Sequence, residues 1–383
     1  MADTLTRDAE GVLCIGGIPL PDLAARFGTP LYIMDVATLK DRLAAWTRAA
    51  SPPDEVYFAG KAFLCRSLIP LLQEAGVGLD VVSGGELLTA LAAGMPAQQI
   101  TFHGNLKTPA EMRLALAAGV GRVVADSDEE LVRWNRLAQE AGRSVETWLR
   151  LTPGVDPHTH RYISTGHVKS KFGWPLESGA AAAAVERALN LPHIRLTGYH
   201  AHIGSQILEE EPYIQAADRM MEFARAMRHR HGFWPQFVDM GVGLGIRQAG
   251  ETGPTPQELV DHFRDILERG TPVGERVPVL AVEPGRSVAA QAGVTLYRVG
   301  VVKRSADGTV YVVVDGGMGD NIRPALYQAR YEAVPVRIPV GAPLTVTVAG
   351  RYCESGDLLV EDVDLAPVEA DDLLVVPDTG AYG

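Results

Sequence analysis

Eight short apolar runs, each followed by a stretch with helical periodicity, recur between about residue 55 and residue 286. The runs begin at Val56, Gly78, Ile100, Arg122, Thr147, Leu196, Phe237 and Val279. Short strands that alternate with amphipathic helices are typical of parallel sheets, and eight such units predict a closed (β/α)8 TIM barrel. The alternative is a doubly wound open sheet, which is expected to carry Gly-x-Gly-x-x-Gly after its first strand. This chain has Ala59-Gly-Lys-Ala-Phe at that point.

A different pattern follows Arg286, where strands recur with little helical periodicity. The apolar runs cover 294–302, 309–314, 334–338, 344–348 and 357–360. This pattern predicts a second, mostly antiparallel β domain. Residues 1–30, with an apolar run at 12–15 and a Gly-Gly turn, are expected to add a strand or two to it. We therefore expect a barrel domain over 31–286 and a β domain over 1–30 and 287–383.

The composition fits two such domains and narrows the choice of ligand. A chain of 383 residues exceeds the roughly 250 to 300 residues that a single core reaches. Its formal net charge of −12 argues against nucleic acid and anionic membranes as partners, because both require a basic surface. Three distant cysteines predict neither a disulfide framework nor a thiolate zinc site, and no leader or membrane-spanning run is visible. We expect a cytoplasmic protein that binds a small molecule.

Polar or glycine residues follow nearly every barrel run. They are Lys61, Asp80 with Ser83, His103 with Asn105, Asp126, Arg150, His202, the glycines of 241–245, and Glu283. The C-terminal ends of barrel strands converge on one mouth, so residues far apart in the sequence are gathered there. The sequence therefore predicts a catalytic face.

Lys61 and Glu283 follow the first and the eighth run, which become neighbours when a barrel closes. A lysine among apolar walls loses its proton easily and can bond covalently to an aldehyde; a surface lysine is the alternative. A carboxylate beside a pyridine nitrogen keeps that nitrogen protonated and makes the ring an electron sink. The alternative is an ion pair between Glu283 and Arg286. Together the two residues predict a cofactor that lies across the mouth.

Three glycine-containing loops after the last three runs are candidates for binding a phosphate through backbone amides. They are Ile203-Gly-Ser205, the loop 241–245 with Gly243, and Pro284-Gly285. One such loop is weak support, and three at the same end of the barrel are stronger.

His200 and His202 are two residues apart, so an alternating strand would place both on one face. Paired histidines can bind a metal, but no third ligand is evident in a fitting position. Asp80 and Glu86 fit better as carboxylates that orient a histidine. An inward histidine satisfied by its neighbours is a further alternative. We expect no metal site.

A series of motifs, in order along nearly the whole chain, resembles the diaminopimelate decarboxylase family. The motifs are Lys61 within Tyr-Phe-Ala-Gly-Lys-Ala-Phe, Asp80-Val-Val-Ser-Gly-Gly-Glu86, His103-Gly-Asn, the segments 153–160 and 170–173, His202-Ile-Gly-Ser-Gln, Glu283-Pro-Gly-Arg286, Asp315-Gly-Gly-Met-Gly-Asp-Asn-Ile-Arg-Pro-Ala-Leu-Tyr327 and Cys353-Glu-Ser-Gly-Asp. The resemblance implies an alanine-racemase-like barrel with a β domain and pyridoxal 5′-phosphate as cofactor. It also implies decarboxylation of meso-2,6-diaminopimelate to L-lysine in a cytoplasmic homodimer.

The resemblance also implies a role for each matching residue. Lys61 is expected to bond covalently to the cofactor, His202 to stack on its ring and Glu283 to meet its nitrogen. Its phosphate and the rest of the cofactor site are assigned to Gly243, Gly285, Tyr382, Asp80, Ser205 and Arg286. The substrate residues are Arg286, Arg323, Tyr327, Glu354 and Tyr382.

Two of these assignments keep an alternative on residue chemistry alone. Arg323 and Glu354 suit a substrate end that carries both a carboxylate and an ammonium, whereas the alternative for Arg323 is an arginine in a surface turn. Cys353 is expected to return a proton, and in the family it reaches the partner's site together with Glu354. A buried, inert cysteine is the alternative.

The sequence departs from the family at a few positions and leaves rival functions open. Val242 stands where a glycine is common, so either cofactor affinity suffers or the backbone there does not need a positive φ. Leu106 replaces a common asparagine, and the chain ends at Gly383, close to Tyr382. Rivals are related decarboxylases of ornithine, lysine, carboxynorspermidine or carrier- and siderophore-linked amino acids, an alanine-racemase-type enzyme, and a non-catalytic cofactor-binding protein.

Overall fold

The computed structural model describes residues 1–156, 171–247, 251–338 and 340–383. By their contacts the described residues form two compact units, Met1–Arg42 with Val288–Gly383 (the β unit) and Leu43–Ser287 (the barrel unit). Parts of the predicted motifs at 157–160 and 170 lie outside the described residues. The domain limits expected from the sequence, with the barrel domain over 31–286, are not tested by this division and stay a prediction.

The strands and helices are as follows. The strands are β1 (Thr6–Arg7), β2 (Leu13–Ile15), β3 (Ile18–Pro19), β4 (Leu31–Met34), β5 (Glu55–Ala59), β6 (Gly78–Val81), β7 (Ile100–Phe102), β8 (Arg122–Ala125), β9 (Val145–Thr152), β10 (Trp174–Pro175), β11 (Ile194–His200), β12 (Phe237–Asp239), β13 (Val279–Val282), β14 (Gly293–Arg304), β15 (Val310–Val314), β16 (Val334–Pro335), β17 (Leu344–Ala349), β18 (Leu358–Leu365) and β19 (Leu373–Pro377). The helices are α1 (Leu20–Phe27), α2 (Val36–Ala49), α3 (Ile69–Glu74), α4 (Gly84–Ala92), α5 (Pro109–Ala118), α6 (Asp128–Glu140), α7 (Ala180–Asn190), α8 (Glu211–His231), α9 (Pro256–Gly270), α10 (Arg286–Ala289) and α11 (Arg323–Tyr327). Short 3₁₀ helices cover Gly60–Ala62, Arg66–Leu68 and Ala97–Gln99.

Eight parallel strands close into a barrel in the order β5-β6-β7-β8-β9-β11-β12-β13, with β13 paired to β5. The short strand β10 adds to β9 outside this ring. The (β/α)8 barrel predicted from the eight strand–helix repeats is therefore confirmed. Closure matters for function because it makes the first and the last barrel strands neighbours, as the positions of Lys61 and Glu283 required.

Helix starts fix the loops that leave the barrel strands. The Ser83 hydroxyl, just after β6, accepts from the Glu86 amide and begins α4. Thr108 forms a capping box with Glu111 at the start of α5, where a proline also occupies the first turn. Such caps satisfy backbone amides that have no partner within the helix, and each contributes about 1 kcal/mol. The loops after β6 and β7 are therefore anchored where Asp80 and His103 lie.

A half-buried arginine, Arg122, lies at the opposite, N-terminal end of the barrel. Arg122 Nε donates to Glu146 at 3.0 Å, and the guanidinium also contacts Glu55 at the start of β5. Its flat face lies 4.1 Å from the centre of the Phe237 ring and 4.9 Å from that of Trp148. A guanidinium suits this position because it can pair with carboxylates in its plane and stack on rings above it. Charged and aromatic side chains pack against each other at this end, and the polar strand ends of the other mouth remain the candidate site.

The β unit contains a mixed sheet in the order β16-β19-β14-β15-β17-β18, with β4 also paired to β14. Its pairs are antiparallel except β15 with β17, which is parallel. A separate three-stranded sheet is formed by β1, β2 and β3. The mostly antiparallel domain predicted from both ends of the chain is confirmed, although the sequence prediction omitted β19. Among the described residues, no helix combines the length and the apolar character needed to span a membrane.

Candidate active site

A row of ionisable groups crosses the C-terminal mouth of the barrel. Lys61 Nζ lies 3.7 Å from Asp80 Oδ2, and Asp80 Oδ1 lies 3.8 Å from His103 Nε2. That nitrogen is 2.6 Å from Glu283 Oε1, and Glu283 Oε2 is 3.3 Å from His200 Nε2. The structure thus brings together Lys61, Asp80 and Glu283, which the sequence had placed at the ends of three strands.

Glu283 is buried between two histidines. Burial opposes its charge, but the fields of His103 and His200 and their contacts with the carboxylate outweigh burial and hold the pKa of Glu283 well below its ordinary value. The two imidazole rings meet edge to face with centroids 4.8 Å apart, which fixes their orientation. The site therefore presents an ionised carboxylate, which is the state needed to keep a neighbouring pyridine nitrogen protonated.

His200 and His202 favour the neutral form. Burial lowers the pKa of His200 to about 3. Desolvation, together with the positive charge of Lys61, lowers the pKa of His202 well below its ordinary value. His202 lies just beyond the end of β11 and is half-buried. A neutral imidazole in this position is suited to stacking on a flat, cationic ring.

Possible metal ligands do lie beside His200, one histidine of the pair His200 and His202. His103, His200 and Glu283 each place a ligand atom within 4.8 Å of the others, whereas the sequence offered no third partner for His200 and His202. This spacing is compatible with a metal ion. It is equally the spacing of a carboxylate held between two imidazoles, and the expectation of no metal stays a prediction.

Asp80 is fully buried with unusual polar surroundings. Among the described residues, neither of its carboxylate oxygens has a hydrogen-bond partner, and neither has His200 Nδ1. Burial raises the pKa of Asp80, and the negative charge of Glu283 adds to this effect. Buried polar atoms are nearly always paired in folded proteins. Several unpaired atoms at one mouth indicate that a polar ligand belongs there.

The three predicted phosphate loops also meet at this mouth. Arg286 Nε and Nη2 donate to Ser205 Oγ at 3.1 and 3.0 Å, which joins the first loop to the third. A Cβ added at Gly243 would lie 1.8 Å from the carbonyl oxygen of Gly204, and one at Gly285 would lie 2.9 Å from the Cβ of Ala62. The backbones approach too closely for side chains, which is the arrangement that exposes amides to an anion.

Val242 lies in the second of these loops in a left-handed conformation. Its φ is +65° and its side chain is buried, and its amide contacts the carbonyl of Met240 in a tight turn. A β-branched residue rarely adopts this conformation, which costs roughly 1–3 kcal/mol. Of the two interpretations left open by the sequence, the one in which this backbone needs no positive φ is wrong.

Arg150, Asp126 and Asp239 complete the mouth, and the sequence assigned none of them a specific role. Arg150 Nε lies 3.7 Å from Asp126 Oδ1, and its guanidinium stacks 4.2 Å from the centre of the Phe172 ring. Burial and the charge of Glu283 raise the pKa of Asp239 well above its ordinary value, which favours its protonated form. In the sequence, these residues could be recognised by their positions at or near the ends of β8, β9 and β12.

In the β unit, Arg323 is buried at the start of α11 and is held from two sides. Its backbone amide donates to Asn321 Oδ1 at 3.3 Å, and its Nε donates to the Tyr331 hydroxyl at 3.0 Å. The guanidinium carbon lies 5.5 Å from the centre of the Tyr327 ring. A surface-turn arginine, the alternative left open by the sequence, does not fit this burial, and Tyr331 is a partner that the sequence did not predict.

The remaining predicted residues also lie in the β unit. Cys353 and Glu354 are exposed between β17 and β18, so the buried-cysteine alternative is wrong. Tyr382 is half-buried near the end of the chain. The preceding backbone is fixed, because the amides of Thr379 and Gly380 each donate to a carbonyl near the start of β14 at 3.0 Å.

Comparison with known proteins decides the family. A family model described as the pyridoxal binding domain of pyridoxal-dependent decarboxylases matches residues 36–290. The diaminopimelate decarboxylase of Bacillus subtilis is 44% identical over 386 residues, covering 99% of this chain and 88% of the relative. This chain belongs to the diaminopimelate decarboxylase family. The family member from Mycobacterium tuberculosis is 43% identical over 98% of this chain and 87% of its own length.

The fold agrees with the family throughout the chain. The crystal structure of the M. jannaschii diaminopimelate decarboxylase in co-complex with L-lysine superposes with a TM-score of 0.92 at 35% identity, covering all of this chain and 89% of that one. Pyridoxal phosphate is the cofactor of the family. The barrel mouth fits it on two observations: unpaired polar atoms at Asp80 and His200, and a cradle at Gly243 and Gly285 where an added Cβ would lie too close to its neighbours.

Proposed function

We propose that this chain is a pyridoxal-phosphate-dependent carboxy-lyase that converts meso-2,6-diaminopimelate to L-lysine and carbon dioxide, the last step of lysine biosynthesis. One observation carries the proposal: relatives with this activity in their names match almost the full chain at 41–44% identity. The match includes the β unit as well as the barrel, so it covers the residues that would choose the substrate. A related decarboxylase of another amino acid is the second candidate.

In this proposal the barrel mouth holds the cofactor. Lys61 bonds covalently to its aldehyde, His202 stacks on its ring, and the backbones at Gly243 and Gly285 bind its phosphate. Asp80, Ser205 and Arg286 complete the site, and Tyr382 is assigned to the phosphate from the β unit. When bound, pyridoxal phosphate accepts the electron pair left on the α-carbon as carbon dioxide departs.

Glu283 controls the proton on the pyridine nitrogen. It is suited to this role because its carboxylate stays ionised although it is buried. His103 and His200 orient it, at 2.6 and 3.3 Å. Such an arrangement differs from a solvent-exposed carboxylate, whose pKa would stay near its ordinary value.

The β unit supplies most of the substrate residues, and Arg286 comes from the barrel unit. Meso-diaminopimelate differs from ornithine and lysine in a distal carboxylate next to its second amine. Arg323 suits that carboxylate, because a guanidinium binds a carboxylate through two parallel hydrogen bonds. Glu354 suits the distal ammonium, and Tyr327, Arg286 and Tyr382 complete the substrate site.

Cys353 returns a proton to the carbon that carbon dioxide leaves, so that one carboxylate is replaced by one hydrogen. Its exposure is consistent with a role outside its own chain. We propose a homodimer in which Cys353 and Glu354 reach the partner's cofactor, with a barrel domain over 31–286 and a β domain over 1–30 and 287–383. A biosynthetic enzyme with three free cysteines fits the cytoplasm.

The activity is tested by measuring carbon dioxide release from meso-diaminopimelate, L-ornithine and L-lysine in parallel. We expect release from meso-diaminopimelate and little from the other two. Lys61→Ala should abolish the release, and it should also abolish the covalent attachment of the cofactor that borohydride reduction makes permanent. Lys303→Ala, at an exposed strand lysine, should change neither. Release from ornithine alone would refute the proposed substrate.

Substrate choice is tested at Arg323. Arg323→Gln removes the cation while keeping a polar side chain, so the KM for meso-diaminopimelate should rise by at least about tenfold, the loss of one charge-assisted contact. The absorbance of the bound cofactor should not change, since Arg323 is assigned to the substrate and not to the cofactor. An unchanged KM would remove Arg323 from the substrate site.

A further inference from the structure

Two segments of the β unit carry two of the five proposed substrate residues, Arg323 and Glu354, together with the proposed proton donor Cys353. The substrate turn, residues 315–323, follows β15 and ends at Arg323. The cysteine loop, residues 350–357, connects β17 to β18 and carries Cys353 and Glu354. Because β15 and β17 pair in parallel, both segments leave the sheet at the same edge. The Arg351 amide donates to the Gly316 carbonyl at 2.9 Å, so the two segments are also in contact.

Asp357 lies between the two segments with its carboxylate buried. One oxygen, Oδ1, accepts from the Met318 amide of the substrate turn at 2.5 Å. The other, Oδ2, accepts from the Tyr352 amide of the cysteine loop at 2.8 Å. The residue is only 2% exposed. A single side chain therefore satisfies one backbone donor from each segment.

The backbone of Asp357 strengthens the same junction. Its carbonyl accepts from the Gly350 amide at 2.8 Å, and its own amide donates to the Glu354 carbonyl at 3.0 Å. These two bonds close the cysteine loop upon itself. The side chain is then the element that ties the closed loop to the substrate turn.

Two glycines are explained by the room that this carboxylate needs. A Cβ at Gly317 would lie 2.5 Å from Asp357 Oδ1, and one at Gly350 would lie 2.2 Å from Oδ2. Neither glycine has a positive φ, so conformational freedom is not the reason for glycine here. Space for the buried carboxylate is the reason, and it accounts for part of the Asp-Gly-Gly pattern that marks the substrate turn.

We propose that Asp357 is a positioning residue for the decarboxylation, which fixes the substrate turn and the cysteine loop to each other through its two carboxylate oxygens. The inference rests on the proposed function, because that function gives Arg323, Cys353 and Glu354 their roles. In the proposed homodimer the cysteine loop serves the partner's cofactor. Asp357 then ties the substrate turn of one active site to the proton-donating loop of the other.

The test compares Asp357→Asn with Asp364→Asn in the cofactor-loaded enzyme. Asparagine keeps the shape of the side chain but turns an NH₂ group toward one of the two amide donors. Asp364 is a matched control, because it is an exposed aspartate on the following strand that accepts only from the Thr345 hydroxyl in the described contacts. Amide hydrogen exchange and steady-state kinetics with meso-diaminopimelate are measured for both.

We expect faster exchange in both segments of Asp357→Asn, by about tenfold, as one buried donor loses its partner. The KM should rise by a similar factor, while kcat falls less. The absorbance of the bound cofactor and exchange in the barrel should match the wild type, and Asp364→Asn should match it in every measurement. A residue with only a general structural role would lower the amount of folded enzyme without this division between KM and kcat.

Faster exchange in only one segment, or an unchanged KM, would overturn the proposal. If Asp357→Asn does not fold, Gly317→Ala tests the same tie from the other side, since its methyl group would displace the carboxylate. It should then speed exchange around Tyr352 in the cysteine loop, and unchanged exchange there would contradict the proposal. Failure of the proposed function is distinguishable, because the wild type would then release no carbon dioxide while the exchange comparison would still report on the tie.

Discussion

Gly243→Ala tests whether the close approach of two loops builds the phosphate site. The added methyl group would lie 1.8 Å from the Gly204 carbonyl oxygen, which belongs to the backbone and cannot rotate away. Gly245→Ala is the matched control two residues further on. Its methyl group would lie 3.0 Å from the side chains of Gln206 and Leu208, which can move. Neither glycine has a positive φ, so the two variants differ in the atoms that the added methyl group would meet.

The magnitude follows from the distances. An ordinary contact requires the loops to separate by roughly 1.5 Å. The hydrogen bond from the Ile207 amide to the Gly243 carbonyl, 3.1 Å long, and the one from the Gly245 amide to the Ile207 carbonyl, also 3.1 Å, join the same two loops. Loss of one or both of these bonds, with the strain of overpacking, should cost about 2–4 kcal/mol. Gly245→Ala should cost less than about 1 kcal/mol.

The assay isolates the barrel unit. All five tryptophans of the chain lie within residues 43–287, so their fluorescence during urea unfolding reports on the barrel alone. Cofactor affinity is measured by titration of the apoenzyme, where Gly243→Ala should weaken binding by at least about tenfold because the amide cradle opens. Equal stability and equal cofactor affinity of the two variants would refute this account of the loop.

Two further predictions use the same fluorescence. Lys107 is buried and donates to Glu130 and to the carbonyls of Gly104 and Val124, each at 2.8 Å. Lys107→Met should destabilise the barrel by about 3–5 kcal/mol, because the buried charge of Glu130 is left without its cation. A loss of stability below about 1 kcal/mol would contradict this. The pKa of His200 falls from 6.5 to about 3 on folding, so between these values the unfolded chain binds a proton that the folded chain does not, and stability should fall on acidification by at most about 1.4 kcal/mol per pH unit. His200→Gln should make stability depend less on pH, because the titrating imidazole is removed and the pKa of Glu283 rises toward its ordinary value. An unchanged dependence of stability on pH would show that His200 is not a buried neutral group.

The barrel was predictable from the sequence because strand and helix periodicities differ and repeat eight times. The strand β19 was omitted, although Leu-Leu-Val-Val between an Asp pair and a proline is a strand pattern. The position of β4 was harder to foresee, since four apolar residues carry no information about the strand they pair with. Its pairing with β14 depends on contacts between distant parts of the chain.

The candidate site was predictable in its members more than in its contacts. Residues at strand ends can be named from the sequence, because a barrel gathers them at one mouth. That His103 and His200 enclose Glu283 could not be inferred, since it depends on strand register and side-chain direction. The role of Asp357 was hidden for the same reason: its hydrogen bonds go to backbone amides, which leave no trace in residue type apart from the glycines that make room for it.

The half-buried arginine at the N-terminal end of the barrel has a consequence for engineering this protein. Arg122, Glu55 and Phe237 are the first residues of their strands, whereas the proposed cofactor residues Lys61, His202 and Glu283 follow the last residues of theirs. Residues that stabilise the barrel and residues proposed to bind the cofactor therefore lie at opposite ends of the same eight strands. Directed evolution can therefore seek heat tolerance at the N-terminal end with little effect on the proposed cofactor site at the other.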